Sequence, residues 1–216
     1  MKASNLISRS RSCRAFSLIE LLAVIALMGI LAAIVVPSIR GVSSATELSV
    51  SAASIVDTLN LARQTALSAN RPVEVRFYEV PRSGDQTLAY RAVGVYIIGE
   101  TGPTPIGRLT FLRNNVVMAD TDAFGTLLRG LPAGEEALPT VDPSGTKTFN
   151  YRTFTFRTDG SANLSRTTTL GGGDTWHLML YDKTRPLVGN TAPANHVTIQ
   201  LLPDTGRTRT FQPGAL

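Results

Sequence analysis

An uncharged apolar segment at residues 21–36 is the sequence feature that most constrains the fold of this chain. With the residues that lead into it, the apolar stretch covers residues 16–36, a length of 21 residues, and about 20 apolar residues cross a bilayer as a helix. Basic side chains and no acid precede it: Lys2, Arg9, Arg11 and Arg14. Because a basic flank stays in the cytoplasm, the sequence predicts a single-pass membrane segment with a cytoplasmic N-terminus.

The net charge of the chain is concentrated in that basic flank. The formal charge is +5 over 216 residues, and +4 of it lies in residues 1–15. Residues 16–216 hold 17 basic and 16 acidic side chains, a balance of only +1. The basic composition therefore reflects membrane orientation and gives little support to general nucleic-acid binding. The single cysteine, Cys13, also lies in the flank, so no intramolecular disulfide can form.

One acid, Glu20, lies just inside the leading edge of the apolar stretch. A carboxylate at membrane depth costs on the order of 2–3 kcal/mol or more and normally has a partner, which a plain membrane anchor does not supply. A secretory signal also fits poorly, because it has a shorter apolar core and an Ala-x-Ala cleavage pattern, whereas Val36-Pro37-Ser38 follows here. A third explanation has to provide the partner of Glu20.

Residues 14–20 (RAFSLIE) resemble the class III leader of type IV prepilins and type II secretion pseudopilins, with Ala15 where Gly is commoner. The resemblance implies that a prepilin peptidase cuts between Ala15 and Phe16 and methylates the new N-terminus. The amine created on Phe16 lies one helical turn from Glu20, and the family's glutamate pairs with the amine of a neighbouring subunit. Pro37 matches a proline that bends or loosens pilin helices. The resemblance thus supplies the partner that Glu20 lacks.

Beyond Pro37 the sequence predicts an amphipathic continuation of the helix over residues 37–71. Apolar and small side chains recur at steps of three and four, the spacing of one helix face: Leu48, Ala52, Ile55, Leu59, Ala62, Ala66 and Ala69. Off this stripe lie Glu47, Ser51, Asn60 and Arg63. The helix is expected to end at Asn70, before Arg71-Pro72, because the residue before proline leaves the helical region.

From residue 72 the apolar period changes to two, which predicts strands. Strands are expected near residues 73–78, 89–98, 108–112, 154–156, 176–181, 196–202 and 208–211, with turns at 83–85, 101–105, 142–145, 159–160 and 171–174. Residues 119–148 are interpreted as a long variable loop with a short helix near 124–129. A helix followed by consecutive strands indicates an α+β fold with a mainly antiparallel sheet. The predicted division is a leader (1–15), a membrane helix (16–36), its continuation (37–71) and a β-rich periplasmic domain (72–216).

Within the pilin-like families, the body is similar to the GspH/FimT group of pseudopilins and minor pilins. The residues that carry this resemblance are 61–66 (LARQTA), 70–73 (NRPV) and 156–161 (FRTDGS). It implies a pilin-like fold and a structural minor subunit of a type II secretion pseudopilus or a type IV pilus. Its partners would be the prepilin peptidase, other pilins or pseudopilins, and an inner-membrane assembly platform. The sequence leaves open whether the subunit belongs to a protein-secretion system or to pilus biogenesis.

Residue patterns for catalysis or for metal binding are sparse. The two histidines, His177 and His196, fall in expected strands without metal-ligand spacing, and residues 145–148 (GTKT) lack the glycine and the strand-to-helix context of a phosphate loop. Turn aspartates that could bind calcium are not grouped as dense oxygen ligands require: Asp159, Asp174 and Asp204. We therefore expect no enzymatic activity, no cofactor and no metal.

A short motif near the C-terminus supports an alternative function. Residues 206–209 (GRTR) match a Gly-Arg-x-Arg motif associated with DNA-binding, FimT-like minor pilins of natural transformation. On a strand, Arg207 and Arg209 would project from one face and contact successive phosphates, whereas a charged edge strand that resists aggregation explains the same residues. Two phosphate contacts bind weakly, although a filament that presents many copies gains avidity.

Overall fold

Helix α1 spans Leu18–Ala69 in the computed structural model, which describes residues 17–82, 85–165, 175–189 and 191–213. Side chains are described for these residues except 32–43 and 85. The chain divides into two compact units, Met1–Ser43 and Ser44–Leu216, and α1 contributes residues to both. The predicted leader, with Ala15 and Phe16, lies outside the described residues.

In the first unit, the described part of α1 carries large apolar side chains that are exposed. Their exposed fractions run from 46% at Val24 to 84% at Leu18. Within the described residues, no helix is both long and apolar enough to meet the requirement for a membrane span. Residue 16 and the side chains of residues 32–36, which belong to the predicted membrane segment, lie outside the description.

In the second unit, α1 buries one face, and the predicted stripe forms that face. The first six residues of this stripe are at most 2% exposed: Leu48, Ala52, Ile55, Leu59, Ala62 and Ala66. Two positions differ from the prediction. Ala69, the last helical residue, is exposed. Ser51 is 1% exposed, and its hydroxyl is satisfied there by a hydrogen bond that it accepts from the Arg113 N–H.

Helix α1 ends close to the predicted position. The backbone feature that ends it lies at Asn70, one residue before Arg71, whose position ahead of Pro72 was the predicted cause. The helix ends at Ala69, and Asn70 has φ of 49°. A left-handed residue after the last helical position closes a helix, and asparagine accepts this conformation better than most residues. The chain then enters the first strand at Val73.

The strands and a second helix follow in sequence order. They are β1 Val73–Arg82, β2 Asp85–Gly99, β3 Gly102–Pro105, β4 Thr110–Phe111, β5 Val116–Met118, α2 Thr126–Arg129, β6 Ala133–Ala137, β7 Thr148–Phe156, β8 Trp176–Asp182, β9 His196–Leu202 and β10 Arg207–Phe211.

Two antiparallel sheets form from these strands among the described residues. The larger sheet has the order β3-β2-β1-β7-β6, with β4 paired to β2, and the smaller has the order β10-β9-β8-β5. The main core gathers the buried face of α1 with residues of both sheets, and a second cluster lies around Tyr78, Tyr96 and Phe149. The predicted fold class, α+β with a long N-terminal helix and a mainly antiparallel sheet domain, is confirmed.

Two segments interpreted as loops are wrong in part. Residues 101–105, expected as a turn, hold β3 (GPTP), whose prolines are tolerated because it is an edge strand. Residues 119–148 hold the expected short helix, α2, but also the edge strand β6, which pairs with β7 from Ala133↔Arg152 to Ala137↔Thr148. Its sequence, AGEEA, lacks apolar alternation because neither face of this strand is buried: its residues are exposed or half-buried. The turn expected at 171–174 and residues 83–84 lie outside the described residues.

Candidate functional site

The start of α1 places Glu20 in the first helical turn. The Glu20 N–H donates to the Ser17 hydroxyl at 3.2 Å and to the Ser17 carbonyl at 3.1 Å, so Ser17 caps the helix. Ser-x-x-Glu is the capping-box pattern, in which the glutamate side chain also supports the first turn. An acid here is favoured by the helix dipole as well. Both bonds use the Glu20 backbone N–H, so the geometry establishes the cap by Ser17, and the role of the Glu20 carboxylate stays a prediction.

The other N-terminal candidates are located only in part. Ala15 and Phe16 lie outside the described residues. Pro37 lies within the bounds of α1, which continue through this position, and its side chain is not described. The processing role of Ala15 and Phe16 and the assembly role of Pro37 therefore stay predictions.

The predicted arginine pair lies on the edge strand β10. Arg207 pairs with Leu202 and Arg209 with Gln200, so both arginines lie on one face of the smaller sheet, and both are exposed. Phe211 continues the same face and is 52% exposed. Two cations and an exposed aromatic ring in a row are a surface on which a polyanion with flat bases can bind.

The two histidines lie on this same face, through the register of β8 and β9. His177 Nδ1 lies 3.1 Å from the Thr126 hydroxyl, and its Nε2 lies 3.2 Å from the Ala123 carbonyl. The Nδ1–H of His196 donates to the Pro193 carbonyl at 2.7 Å. Each ring therefore anchors a loop to the sheet.

The glycine of the GRTR motif has a structural task. Gly206 has φ of 61°, and a Cβ at this position would lie 2.1 Å from the Gly160 carbonyl oxygen and 2.9 Å from the Phe156 ring. Beside it, Arg63 Nε–H donates to the Thr205 carbonyl at 2.7 Å. Residues from three sequence motifs (61–66, 156–161 and 206–209) therefore meet at one junction between α1 and the two sheets, a convergence that sequence alone did not show.

The Asp-Gly turn in this junction explains one of the suspected calcium ligands. Asp159 accepts hydrogen bonds from the Ser161 hydroxyl at 2.6 Å and the Ser161 N–H at 2.8 Å, and these bonds lower the pKa of Asp159. Across the part of the chain that the structure describes, no group of three or more His, Cys, Asp or Glu side chains could hold a metal ion. Asp174 lies outside that part.

A charged cluster on the larger sheet was missed from sequence. Arg76 on β1 is 8% exposed and forms ion pairs with Glu74 at 2.9 Å and with Glu136 at 2.8 Å. Its guanidinium carbon lies 4.2 Å from the centre of the Tyr96 ring and 4.6 Å from that of the Tyr151 ring. Because β7 lies between β1 and β6, the pair with Glu136 joins two strands that are not hydrogen-bonded to each other.

Tyrosine hydroxyls complete this cluster. Tyr78 donates to Glu136 at 2.6 Å, and because a carboxylate only accepts, the Tyr96 hydroxyl 2.6 Å away donates to Tyr78. Burial, and then the bond to Glu136, raise the pKa of Tyr78. Burial alone would lower the pKa of Arg76, but the bonds to Glu74 and Glu136 outweigh burial and raise it. The alternation of Glu74, Arg76 and Tyr78 on one strand face was the available signal.

Comparison with known proteins bears on the N-terminal segment. A family model described as the prokaryotic N-terminal methylation motif matches residues 10–36, a range that contains Ala15, Phe16 and Glu20. No curated protein shows a significant sequence match to the chain.

The solved structures that are similar to the chain include a minor pseudopilin and a minor pilin. The minor pseudopilin EpsH from the type 2 secretion system of Vibrio cholerae is 13% identical with a TM-score of 0.43, and the match covers 78% of this chain and 98% of that one. The type IV minor pilin FimU of Pseudomonas aeruginosa is 14% identical with a TM-score of 0.41, covering 78% and 94%. Similarity at this level assigns no residue roles. From the motif match and the fold, the chain is a protein with a prepilin-type N-terminal methylation motif followed by an α+β body.

Proposed function

We propose that this chain is a structural subunit of a pilus-like filament, either a type II secretion pseudopilus or a type IV pilus. A prepilin peptidase cuts between Ala15 and Phe16 and methylates Phe16, and the mature chain joins other pilins or pseudopilins through an inner-membrane assembly platform. The match of residues 10–36 to the N-terminal methylation motif carries this proposal. The subunit has no reaction of its own.

The apolar segment has two successive roles in this proposal. Before assembly, residues 16–36 hold the chain in the inner membrane, with the leader in the cytoplasm and the β-rich domain in the periplasm. After processing, the same side chains leave the lipid and pack between subunits. The exposed apolar side chains of the first unit support this, because a surface of that composition is covered either by lipid or by protein.

Removing the charge of Glu20 tests this proposal. A helix cap tolerates the loss of the charge, whereas an intersubunit ion pair does not. Glutamine satisfies the capping box as well as glutamate does, but it cannot pair with an α-amino cation. We therefore expect Glu20→Gln to reduce filament incorporation at least tenfold and Glu20→Asp to retain part of it. The measurement is the amount of subunit in sheared filaments relative to the membrane fraction.

Two controls separate assembly from processing and from capping. Mass spectrometry of the wild-type filament subunit and of the membrane-bound Glu20→Gln variant should find the same start, a methylated Phe16. Ser17→Ala removes the cap bond and keeps the charge, so its incorporation should be close to that of the wild type. An intact Met1 start in assembled filaments, or normal incorporation of Glu20→Gln, contradicts the proposal.

The arginines of β10 support a second candidate function, DNA binding by a FimT-like minor pilin in DNA uptake. The favouring observation is that Arg207, Arg209 and Phe211 are exposed in a row on one face of an edge strand. In this arrangement the cations contact successive phosphates while the ring stacks on a base. Copies repeated along a filament add avidity to weak single contacts.

Binding to DNA at low salt tests this candidate. The pair of substitutions Arg207→Ala and Arg209→Ala should abolish the retention of single-stranded and double-stranded DNA by the soluble body, residues 38–216, and Phe211→Ala should weaken mainly the single-stranded form. The exposed Arg108→Ala, away from this strand, is the matched charge control. No retention by the unmodified body, or equal loss with Arg108→Ala, rules the candidate out.

A further inference from the structure

The outer strands of the two sheets differ in how they are protected from pairing with another chain. Among the described strands, the larger sheet ends in β3 and β6, and the smaller sheet ends in β10 and β5. An unprotected outer strand pairs readily with a strand of another molecule. Strand β3 carries Pro103 and Pro105, which lack the N–H that pairing needs, and all three residues of β5 are buried. The accessible outer strands are therefore β6 and β10.

Strands β6 and β10 match each other in length and in exposure. Each has five residues, of which three are exposed in β6 and four in β10. The Thr153 N–H donates to the Pro132 carbonyl at 3.1 Å, and alternate residues of a strand direct their backbone groups to the same side. The residues of β6 whose N–H and C=O groups point away from β7 are therefore Ala133, Glu135 and Ala137.

The side chains of these two strands carry opposite charges. Strand β6 contains Glu135 and Glu136 and no cation, whereas β10 contains Arg207 and Arg209 and no acid. Glu136 is paired with a buried arginine, but Glu135 is exposed and accepts a hydrogen bond from the Thr148 hydroxyl at 3.2 Å. The side chains of Arg207 and Arg209 form no hydrogen bond or ion pair with another residue in the part of the chain that the structure describes. Both guanidinium groups are thus available to an external acid.

Opposite charge favours the pairing of unlike edges and opposes the pairing of like edges. Two copies of β10 would place arginines against arginines, and two copies of β6 would place glutamates against glutamates. When β10 of one copy lies against β6 of another, acids meet cations instead. Glu135 and Glu136 are consecutive and lie on opposite faces of β6, so one of them shares a face with Arg207 and Arg209 in either register.

A contact between two different edges of the same chain can repeat without limit. Such a head-to-tail contact leaves one free edge at each end, so that further copies add and an open helical assembly results. A filament requires this kind of contact, and the pairing of β6 with β10 therefore depends on the proposed filament function. Five paired residues bind weakly by themselves, but subunits held side by side by their N-terminal helices have a high effective concentration.

We propose that β10 of one copy pairs in an antiparallel arrangement with β6 of a neighbouring copy, which joins the smaller sheet of one body to the larger sheet of the next. All the ladders between described strands are antiparallel, and this direction is the more stable one. It brings the start of β10 to the end of β6. Thr208 then lies close to Ala137 of the neighbouring copy and far from its Ala133.

A disulfide between two copies tests this contact. One full-length variant carries Thr208→Cys and the other carries Ala137→Cys, each with its own epitope tag and with the single native cysteine removed by Cys13→Ser. Oxidation of sheared filaments from cells that express both should join the two tags, because a disulfide needs Cα atoms within about 7 Å of each other. Ala133→Cys in place of Ala137→Cys, at the far end of β6, should give at least tenfold less product.

Charge reversal tests the recognition between the two strands. Arg207→Glu with Arg209→Glu should lower the crosslinked fraction at least tenfold, and Glu135→Lys, which leaves the buried ion pairs of the larger sheet in place, should lower it about threefold to tenfold. The matched control is Arg71→Glu with Arg108→Glu, since both arginines are exposed and lie outside β6 and β10. This control and treatment with nuclease should leave the crosslink unchanged.

The outcomes for the pairing and for the filament function can be told apart. Filaments that contain both cysteine variants but no disulfide between positions 208 and 137, a disulfide insensitive to charge reversal, or one lost on nuclease treatment would overturn the pairing and leave the filament function standing. If the chain does not enter filaments, the filament function fails. The two purified full-length variants, mixed at high concentration in a nonionic detergent, then decide the pairing: a disulfide supports it, and its absence contradicts it.

Discussion

Replacing Gly206 with alanine should lower the free energy of unfolding of the body by about 3 kcal/mol. Two costs add in this variant. The φ of 61° is strained for any residue with a Cβ, on the order of 1 kcal/mol, and the new methyl group would meet the Gly160 carbonyl 2.1 Å away. Because that atom is backbone in a turn that is itself packed on α1, relieving the overlap moves the junction, at about 2 kcal/mol. Urea unfolding of residues 44–216, the second compact unit, measures the loss.

Gly145 offers a control with nearly the same backbone and a different environment. Its φ is 65°, and a Cβ added there meets nothing within 4 Å. Gly145→Ala should therefore cost only the conformational part, about 1 kcal/mol. Equal losses for the two alanine variants would show that the close approach at Gly206 is unimportant. The same comparison separates the glycine of the GRTR motif from its arginines, because Gly206→Ala would impair DNA binding only through stability.

The sequence predicted those helices and strands in which a periodic pattern of apolar residues indicates the buried face. The α1 stripe was correct from Leu48 through Ala66 because a helix with one buried face repeats its apolar residues every three or four positions. The strands β8 and β9 were located to within one residue because each buries one face and so alternates. In both cases a periodic pattern within the segment is sufficient.

The segments that were missed depend on residues far away in the chain. Strand β6 forms because β7 offers it a free edge, and nothing periodic in AGEEA indicates this. Gly134 within it leaves room for a neighbouring ring, since a Cβ there would lie 2.5 Å from the Tyr151 ring. Gly134 thus marks a close contact with Tyr151, but only the register of β6 against β7 shows that Tyr151 is the partner.

The candidate sites divide in the same way. The N-terminal motif is contiguous, so Glu20 could be chosen as a candidate from residues 14–20 alone, and the Ser17 cap could have been found from the capping-box spacing. For the Arg76 cluster, the alternation of Glu74, Arg76 and Tyr78 on β1 was a signal in the sequence. The second acid, Glu136, could not be assigned to it, because Glu136 lies 62 positions from Glu74 in the chain.

Removing the charge of Arg76 should lower the free energy of unfolding of the body by about 3 kcal/mol in Arg76→Met. The side chains of Arg76 and Glu74 are 9% and 12% exposed, and breaking a buried ion pair from one side leaves a carboxylate without its cation, at about 3–5 kcal/mol. The lower end applies because Glu136 is 33% exposed and water can replace part of its lost contact. The variant also loses the stacking of the guanidinium between Tyr96 and Tyr151.

The pair between Arg129 and Asp122 is the matched control, because it has nearly the same length and a different burial. Its atoms lie 3.0 Å apart, but its side chains are 44% and 61% exposed, so Arg129→Met should change the stability by less than about 0.5 kcal/mol. Urea unfolding of residues 44–216 compares the two variants. Adding Glu74→Gln and Glu136→Gln to Arg76→Met should recover part of the loss, since the unpaired charges are then gone. Equal effects of Arg76→Met and Arg129→Met, or no recovery with the two glutamines, would mean that burial of charge does not account for the stability of this cluster.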